Sequence, residues 1–367
     1  MIHDINQIIE LALKNNASDI HLVCGLPVKC RVDGRIVNLC EDIVELEDCE
    51  IIARELLKEN YEKIRVIGEA DIGYTFPNGT RVRGNIYRQN RNLSIALRIF
   101  NNHIPTIDEL GLPACVFNVP KLKNGIVLVT GETGAGKSTT MASIINEINH
   151  TRDAHVITLE DPIEYIFDSD RSIISQREIG VDTKDFHSGL RAILREDPDV
   201  IMVGEMRDYE TIEAALTAAE TGHLVLATLH TNSAADTLDR IVGVFPDASR
   251  DQIRMQLSNT LCYIITQKLL PKKNTSGRTL ACEVMVVNTA MKNLIREGKT
   301  HQLETFITLT AQDGSVSMDS ALQKLVLEDE ISLETALQYA RNKDNLQRAC
   351  AYATPTSADK GLFKKHK

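Results

Sequence analysis

Nine consecutive residues, Gly131-Glu132-Thr133-Gly134-Ala135-Gly136-Lys137-Ser138-Thr139, carry the strongest chemical signal in the chain. Their spacing is G-x-x-x-x-G-K-S, the pattern of a loop that cradles phosphate. Glycines at these positions let the backbone curl so that successive N–H groups converge on one anion. A helix starting there adds its own unpaired N–H groups and the positive end of its dipole. Lys137 is placed to reach the β- and γ-phosphates of a nucleotide, and the Ser138 hydroxyl to ligate Mg²⁺. The expected binding segment for a nucleoside triphosphate is therefore Gly131, Thr133, Gly134, Ala135, Gly136, Lys137, Ser138 and Thr139.

What happens to that nucleotide depends on the residues just past the following strands, because open α/β sheets bind ligands outside the carboxyl ends of their strands. After 155–159 comes Glu160-Asp161-Pro162-Ile163-Glu164. Three carboxylates there suit the holding of a water for attack on the γ-phosphate, or of Mg²⁺ through waters; the alternative is a polar loop with helix-capping acids. After 199–203 comes Gly204-Glu205-Met206-Arg207-Asp208, where Glu205 is the acid expected near the metal and Arg207-Asp208 suits a local ion pair. After 224–229 comes His230, level with the phosphate loop and suited to hydrogen-bond a γ-phosphate. His223 stands at the opposite end of that strand and should lie farther off.

Positioning these residues requires particular elements. The apolar run 126–129 precedes the loop, and Met141, Ile144, Ile145 and Ile148 follow at helical spacing, giving strand, loop and helix. Strands at 155–159, 200–203 and 224–229 alternate with helices at 208–221 and 233–242, which implies a parallel sheet covered on both faces. Beyond residue 250 the pattern reads as mostly helical. Ahead of all this lies a small α+β domain. It opens with an amphipathic helix over 3–17, with Leu13 among its apolar residues, and a strand over 18–23. A hairpin over 28–39 follows, reversing at Asp33-Gly34, then helical periodicity over 45–67. Two strands bracket Pro77-Asn78-Gly79, and a last one spans 93–99. On these strands Arg81 and Arg83 share a face, and Arg98 points away from the apolar face of its own strand. The three arginines make either a solvated sheet surface or a phosphate-binding face. The expected boundaries are 1–100 for this domain, 101–113 for a turn-rich linker, 114–349 for the nucleotide domain and 350–367 for a disordered tail.

Composition narrows the class. A chain of 367 residues is long for one core, which agrees with two domains. No apolar run approaches the roughly 20 residues that span a bilayer, and the first residues lack the basic-then-apolar layout of a signal peptide. A cytoplasmic location is the expectation. A net charge of −10 and only 4% aromatic residues argue against stable nucleic-acid binding, which needs phosphate neutralisation and stacking platforms. Eight cysteines without a C-x-x-C pair indicate neither a zinc module nor a disulfide scaffold; Cys24, Cys30, Cys262 and Cys282 read as small core residues.

Taken together, Gly131–Thr139, Glu160–Glu164, Gly204–Asp208 and Thr221-Gly222-His223…Thr228-Leu229-His230-Thr231 resemble the Walker A, Asp box, Walker B and His box of secretion-superfamily ATPases. Among these, the chain is most similar to the retraction ATPases of type IV pili. Ala17–Leu22, Leu194–Asp199 and Ala290–Glu297 support this, the last resembling a stretch associated with retraction, although Met291 and Lys292 replace an Ile and an Arg. The segment after Arg348 has no counterpart in the resemblance. The resemblance covers about residues 1–345. It implies an α/β fold with a RecA-like P-loop NTPase core and a smaller PAS-like N-terminal domain, in a homohexameric ring with nucleotide between the two domains. It further implies Mg²⁺-dependent ATP hydrolysis, with Glu164 as general base, Glu205 as Walker B acid and metal partner of Ser138, and His230 as γ-phosphate sensor. Arg81, Arg83 and Arg98 would supply the charge of an arginine finger. The implied partner is an inner-membrane pilus platform protein, through which the chain would sit at the inner face of the cytoplasmic membrane. A pilus-extension or type II secretion ATPase is the alternative within the superfamily; such proteins usually carry a further N-terminal domain and often a four-cysteine zinc insert. A RecA-like nucleic-acid translocase is the alternative from another class.

Overall fold

A computed structural model describes residues 4–353 apart from 33, 59–60 and 101–102. The chain divides into two compact units: Met1–Ile104 with Pro162–Ile166, and Pro105–Asp161 with Phe167–Lys367.

The first unit opens with helix α1 (Ile5–Lys14), whose first turn is capped by the Asp4 carboxylate accepting from Asn6 N at 3.0 Å. Strands β1 (Asp19–Val23), β2 (Pro27–Val32) and β3 (Arg35–Ile43) follow, then helices α2 (Leu46–Leu57) and α3 (Tyr61–Ile67). Strands β4 (Glu69–Thr75), β5 (Arg81–Gln89) and β6 (Asn92–Ile99) complete an antiparallel sheet in the order β3-β2-β1-β6-β5-β4. Its core forms because strand alternation turns Ile20, Leu22, Val82, Ile86, Ile95 and Leu97 to the side where α1 buries Ile5, Ile8 and Ile9. Leu13 does not join that stripe and stays exposed. The helical stretch expected over 45–67 is two helices, α2 ending at Lys58, whose φ is positive (49°). Asp33, half of the expected hairpin turn, and residues 101–102 of the expected linker lie outside the described residues.

In the second unit a 3-10 segment (Ala114–Lys121) leads into β7 (Gly125–Thr130) and α4 (Lys137–Thr151). Then come β8 (His155–Glu160), β9 (Ile173–Glu178), α5 (Phe186–Ile193), β10 (Val200–Val203), α6 (Tyr209–Glu220), β11 (Leu224–Leu229), α7 (Ala234–Gly243) and α8 (Asp247–Thr260). The long strands β12 (Leu261–Pro271) and β13 (Arg278–Val286) precede α9 (Thr289–Arg296), α10 (Leu303–Leu309), α11 (Met318–Leu327), α12 (Leu333–Tyr339) and α13 (Lys343–Ala353).

The sheet order is β13-β12-β7-β11-β10-β8-β9, parallel except for the antiparallel edge strand β13. Two features depart from the sequence reading. The region past residue 250 is mostly helical, as expected, but it also holds the strands β12 and β13, which the pattern did not disclose; a continuous apolar run such as Leu261–Ile265 fits a buried strand as well as a buried helix. Strand β9 was not expected; it is a half-buried edge whose apolar alternation is weak. Helix α13 also runs to Ala353, past the expected domain end at 349, and residues 354–367 lie outside the described part.

Candidate active site

The phosphate loop begins where β7, buried along its whole length, leaves the sheet. Three of its glycines adopt left-handed conformations: Gly131 (φ 145°), Gly134 (φ 79°) and Gly136 (φ 85°). At Gly131 space matters as much as φ, because a Cβ there would lie 2.6 Å from the Gln267 carbonyl oxygen and 3.0 Å from Ala135 Cβ. Gly136 caps α4, and Lys137 occupies its first turn. The Lys137 ammonium is nearly buried and donates to Gly131 O (2.8 Å) and Glu132 O (3.0 Å), which holds it across the loop. Ser138, the next residue of α4, is exposed. A curled backbone crowded at Gly131, a cation held across it and an exposed serine in the first turn of α4 fit a Mg²⁺-nucleotide.

Parallel register sets the neighbouring residues in a row. Thr130 of β7 faces Leu229 of β11, so Gly131 and His230 leave the sheet at one level. Val203 of β10 faces Ala227, and the ladder continues past it through Gly204 N to Leu159 O (2.8 Å) and Met206 N to Thr228 O (3.0 Å). Gly204 keeps this approach close, since a Cβ there would lie 3.0 Å from Leu159 O. Glu205 is thereby fixed, with its side chain 14% exposed, and its carboxylate meets His230 Nε2 at 3.5 Å and Arg207 Nη2 at 2.7 Å. The expected Arg207–Asp208 pair is not made. Arg207 goes to Glu205, and Asp208 instead caps α6 by accepting from Thr211 N at 2.8 Å. His223 is absorbed by the helix end before it, with Nδ1 against Ala218 O (2.9 Å) and the Thr221 hydroxyl (3.1 Å).

The three carboxylates after β8 separate. Glu160 is buried and accepts from the Thr158 hydroxyl (2.7 Å) and Gln176 Nε2 (3.1 Å), which ties it to the sheet. Asp161 is exposed and shares a cavity of about 390 Å³ with Glu205, Arg207 and His187. Glu164, half-buried, belongs to the 162–166 segment of the first unit, where the neighbouring Ile163 carbonyl accepts from Arg81 Nε at 3.2 Å. Arg81 Nη1 also reaches the Thr75 hydroxyl at 3.3 Å. Arg83 and Arg98 stand opposite each other across β5 and β6. Arg83 is exposed, whereas Arg98 Nε pairs with Asp19 Oδ1 at 3.0 Å and Arg31 Nε lies 3.6 Å from Oδ2. Burial works against the Asp19 carboxylate, but the Ser18 hydroxyl and the two guanidiniums outweigh it and hold its pKa below the usual carboxylate range. Of the four apolar-reading cysteines, Cys30 and Cys282 are buried, and Cys24 and Cys262 only partly so.

Residues that the sequence reading passed over lie on β12 and β13. Gln267, 1% exposed, donates from Nε2 to the Thr140 hydroxyl at 2.8 Å. Glu283, fully buried, pairs with Arg341 Nη2 at 2.8 Å and accepts from Ala234 N, the first residue of α7, at 3.2 Å. Neither pair has a short-range signature, because 127 and 58 residues separate the partners.

Comparison with known proteins gives a consistent picture. Residues 1–338 match the family described as type II/IV secretion system protein. The chain is 43% identical to the uncharacterized protein YggR of Escherichia coli over 89% of its length and all of that protein. It is 40% identical to the type IV pilus retraction ATPase PilT of Pseudomonas aeruginosa, covering 93% of this chain and 99% of PilT. A crystal structure of the pilus retraction motor PilT with bound ADP superposes with a TM-score of 0.88 at 44% identity, over 94% of this chain and 99% of that one.

Proposed function

The chain belongs to the type II/IV secretion system protein family, with a RecA-like core and a smaller α+β N-terminal unit, and from that premise we propose that it is an ATP-hydrolysing motor that powers type IV pilus retraction. The observation that carries the reading is the meeting of Glu205 and His230 at 3.5 Å, on neighbouring strand exits level with the phosphate loop.

In this reading ATP seats its phosphates on the N–H groups of 131–139, and Lys137 exchanges its carbonyl partners for phosphate oxygens. Ser138 and Glu205 would hold Mg²⁺, which when bound would neutralise charge on the phosphates. Glu164 takes the proton of the attacking water, and His230 hydrogen-bonds the γ-phosphate. Arg81, Arg83 and Arg98 supply cationic charge to the transition state, a contribution worth about 10³–10⁵ in rate in GTPases. Loss of the γ-phosphate removes the contacts made by His230 and the arginines, which is a general switching device. Six chains in a ring would pass these steps to a membrane-embedded pilus platform protein from the cytoplasmic side. Among the described residues no helix is long and apolar enough to cross a membrane.

Deletion of the gene tests the reading at its broadest. Cells that become hyperpiliated and stop twitching are expected; bald cells would point to extension instead. ATP turnover stimulated by DNA would favour a nucleic-acid translocase.

A further inference from the structure

Gln267 occupies a position that packing alone does not explain. Thr266 of β12 faces Thr130 of β7 in register, and their hydroxyls meet at 2.9 Å, so Gln267 lies level with Gly131, just past the last β7 pair while β12 continues beside β13. Its backbone carbonyl is the atom that closes the space over Gly131. Its side chain lies under the phosphate loop, where Nε2 donates to the Thr140 hydroxyl, itself 1% exposed in the first turn of α4. The other half of the amide, Oε1, is buried and has no hydrogen-bond partner among the described residues. A buried amide oxygen left unpaired destabilises a fold, whereas an apolar side chain of the same length would not. A polar group retained at such a cost points to service in the loop beside it.

We propose that Gln267 is a positioning residue of the nucleotide site. Nε2 pins Thr140, and through it the helical turn that carries Lys137 and Ser138. The Oε1 atom receives its hydrogen bond when the loop closes on a nucleotide. Gln267 thus links the phosphate loop to the hairpin of β12 and β13. The proposal rests on the reading of 131–139 as a nucleotide loop.

The test measures Mg-ADP affinity by calorimetry and thermal stability on the full chain, for wild type, Lys137→Ala, Gln267→Met, Thr140→Val and Thr140→Ser. Gln267→Met should melt at or above the wild-type temperature and yet bind Mg-ADP about tenfold more weakly. Thr140→Val should weaken binding by a similar factor, and Thr140→Ser, which keeps the hydroxyl, should restore it. If Gln267→Met does not fold, the two Thr140 variants decide alone. Affinity unchanged in Gln267→Met and Thr140→Val, or affinity and melting temperature falling together, overturns the proposal. Wild type that fails to bind Mg-ADP, or binds it no better than Lys137→Ala, would instead remove the nucleotide reading itself.

Discussion

At the scale of single residues, Gly131 and Asp19 lend themselves to sharp tests. Gly131 combines a φ of 145° with a carbonyl oxygen 2.6 Å from where a Cβ would sit, so alanine is both strained and crowded. Gly131→Ala should cost about 2 kcal/mol or more of stability, measured by chemical denaturation, and lose nucleotide binding with it. For Asp19 the sign of the pH effect follows from its lowered pKa. Its pairing with Arg98 and Arg31 contributes in full above the unfolded carboxyl value and disappears as pH falls through the lower folded value. Asp19→Asn should therefore lower the melting temperature at pH 7, by the equivalent of no more than about 1 kcal/mol since Arg98 is 69% exposed. As pH falls through the lowered folded value, the gap between the variant and wild type should close. Arg83, exposed and opposite Arg98, is the arginine whose loss should least disturb the fold.

At the scale of elements, Glu283 joins three of them. Its carboxylate on β13 accepts from the first residue of α7, just past His230, and meets Arg341 before α13; Arg341 Nη1 also lies 3.4 Å from Glu304 on α10. Burial raises the Glu283 pKa, and Arg341 and Ala234 N–H pull it only partly back. Arg341→Ala should cost about 3–5 kcal/mol by leaving a buried charge unpaired, while Glu283→Leu with Arg341→Met should recover most of it. With the arginine gone the carboxyl takes up a proton on folding, so the deficit should be smaller at pH 5 than at pH 8. Such long-range pairs mark the limit of what the sequence discloses. The phosphate loop and the exits at Glu205 and His230 were legible because each is a short run following a strand in chain order. Gln267 and Glu283 were not, since their strands read as a helical region and their partners lie far along the chain. The Arg207–Glu205 pair was missed for a subtler reason: Asp208 was free to cap α6, and a cap is stronger than an exposed neighbouring ion pair.

At the scale of the whole molecule, the parallel sheet of the second unit lines up Gln267, Gly131 and His230 at one end of its strands, and the first unit carries Arg81, Arg83, Arg98 and Glu164. The central claim is that Glu164, Glu205 and His230 act on an ATP seated at Lys137. The most direct measurement is steady-state ATP turnover with Mg²⁺ by the purified chain and its Glu205→Gln variant, with Mg-ADP binding followed in parallel. The variant should keep nucleotide binding and lose turnover by about 10²-fold or more. Turnover by Glu205→Gln at the wild-type rate would contradict the account.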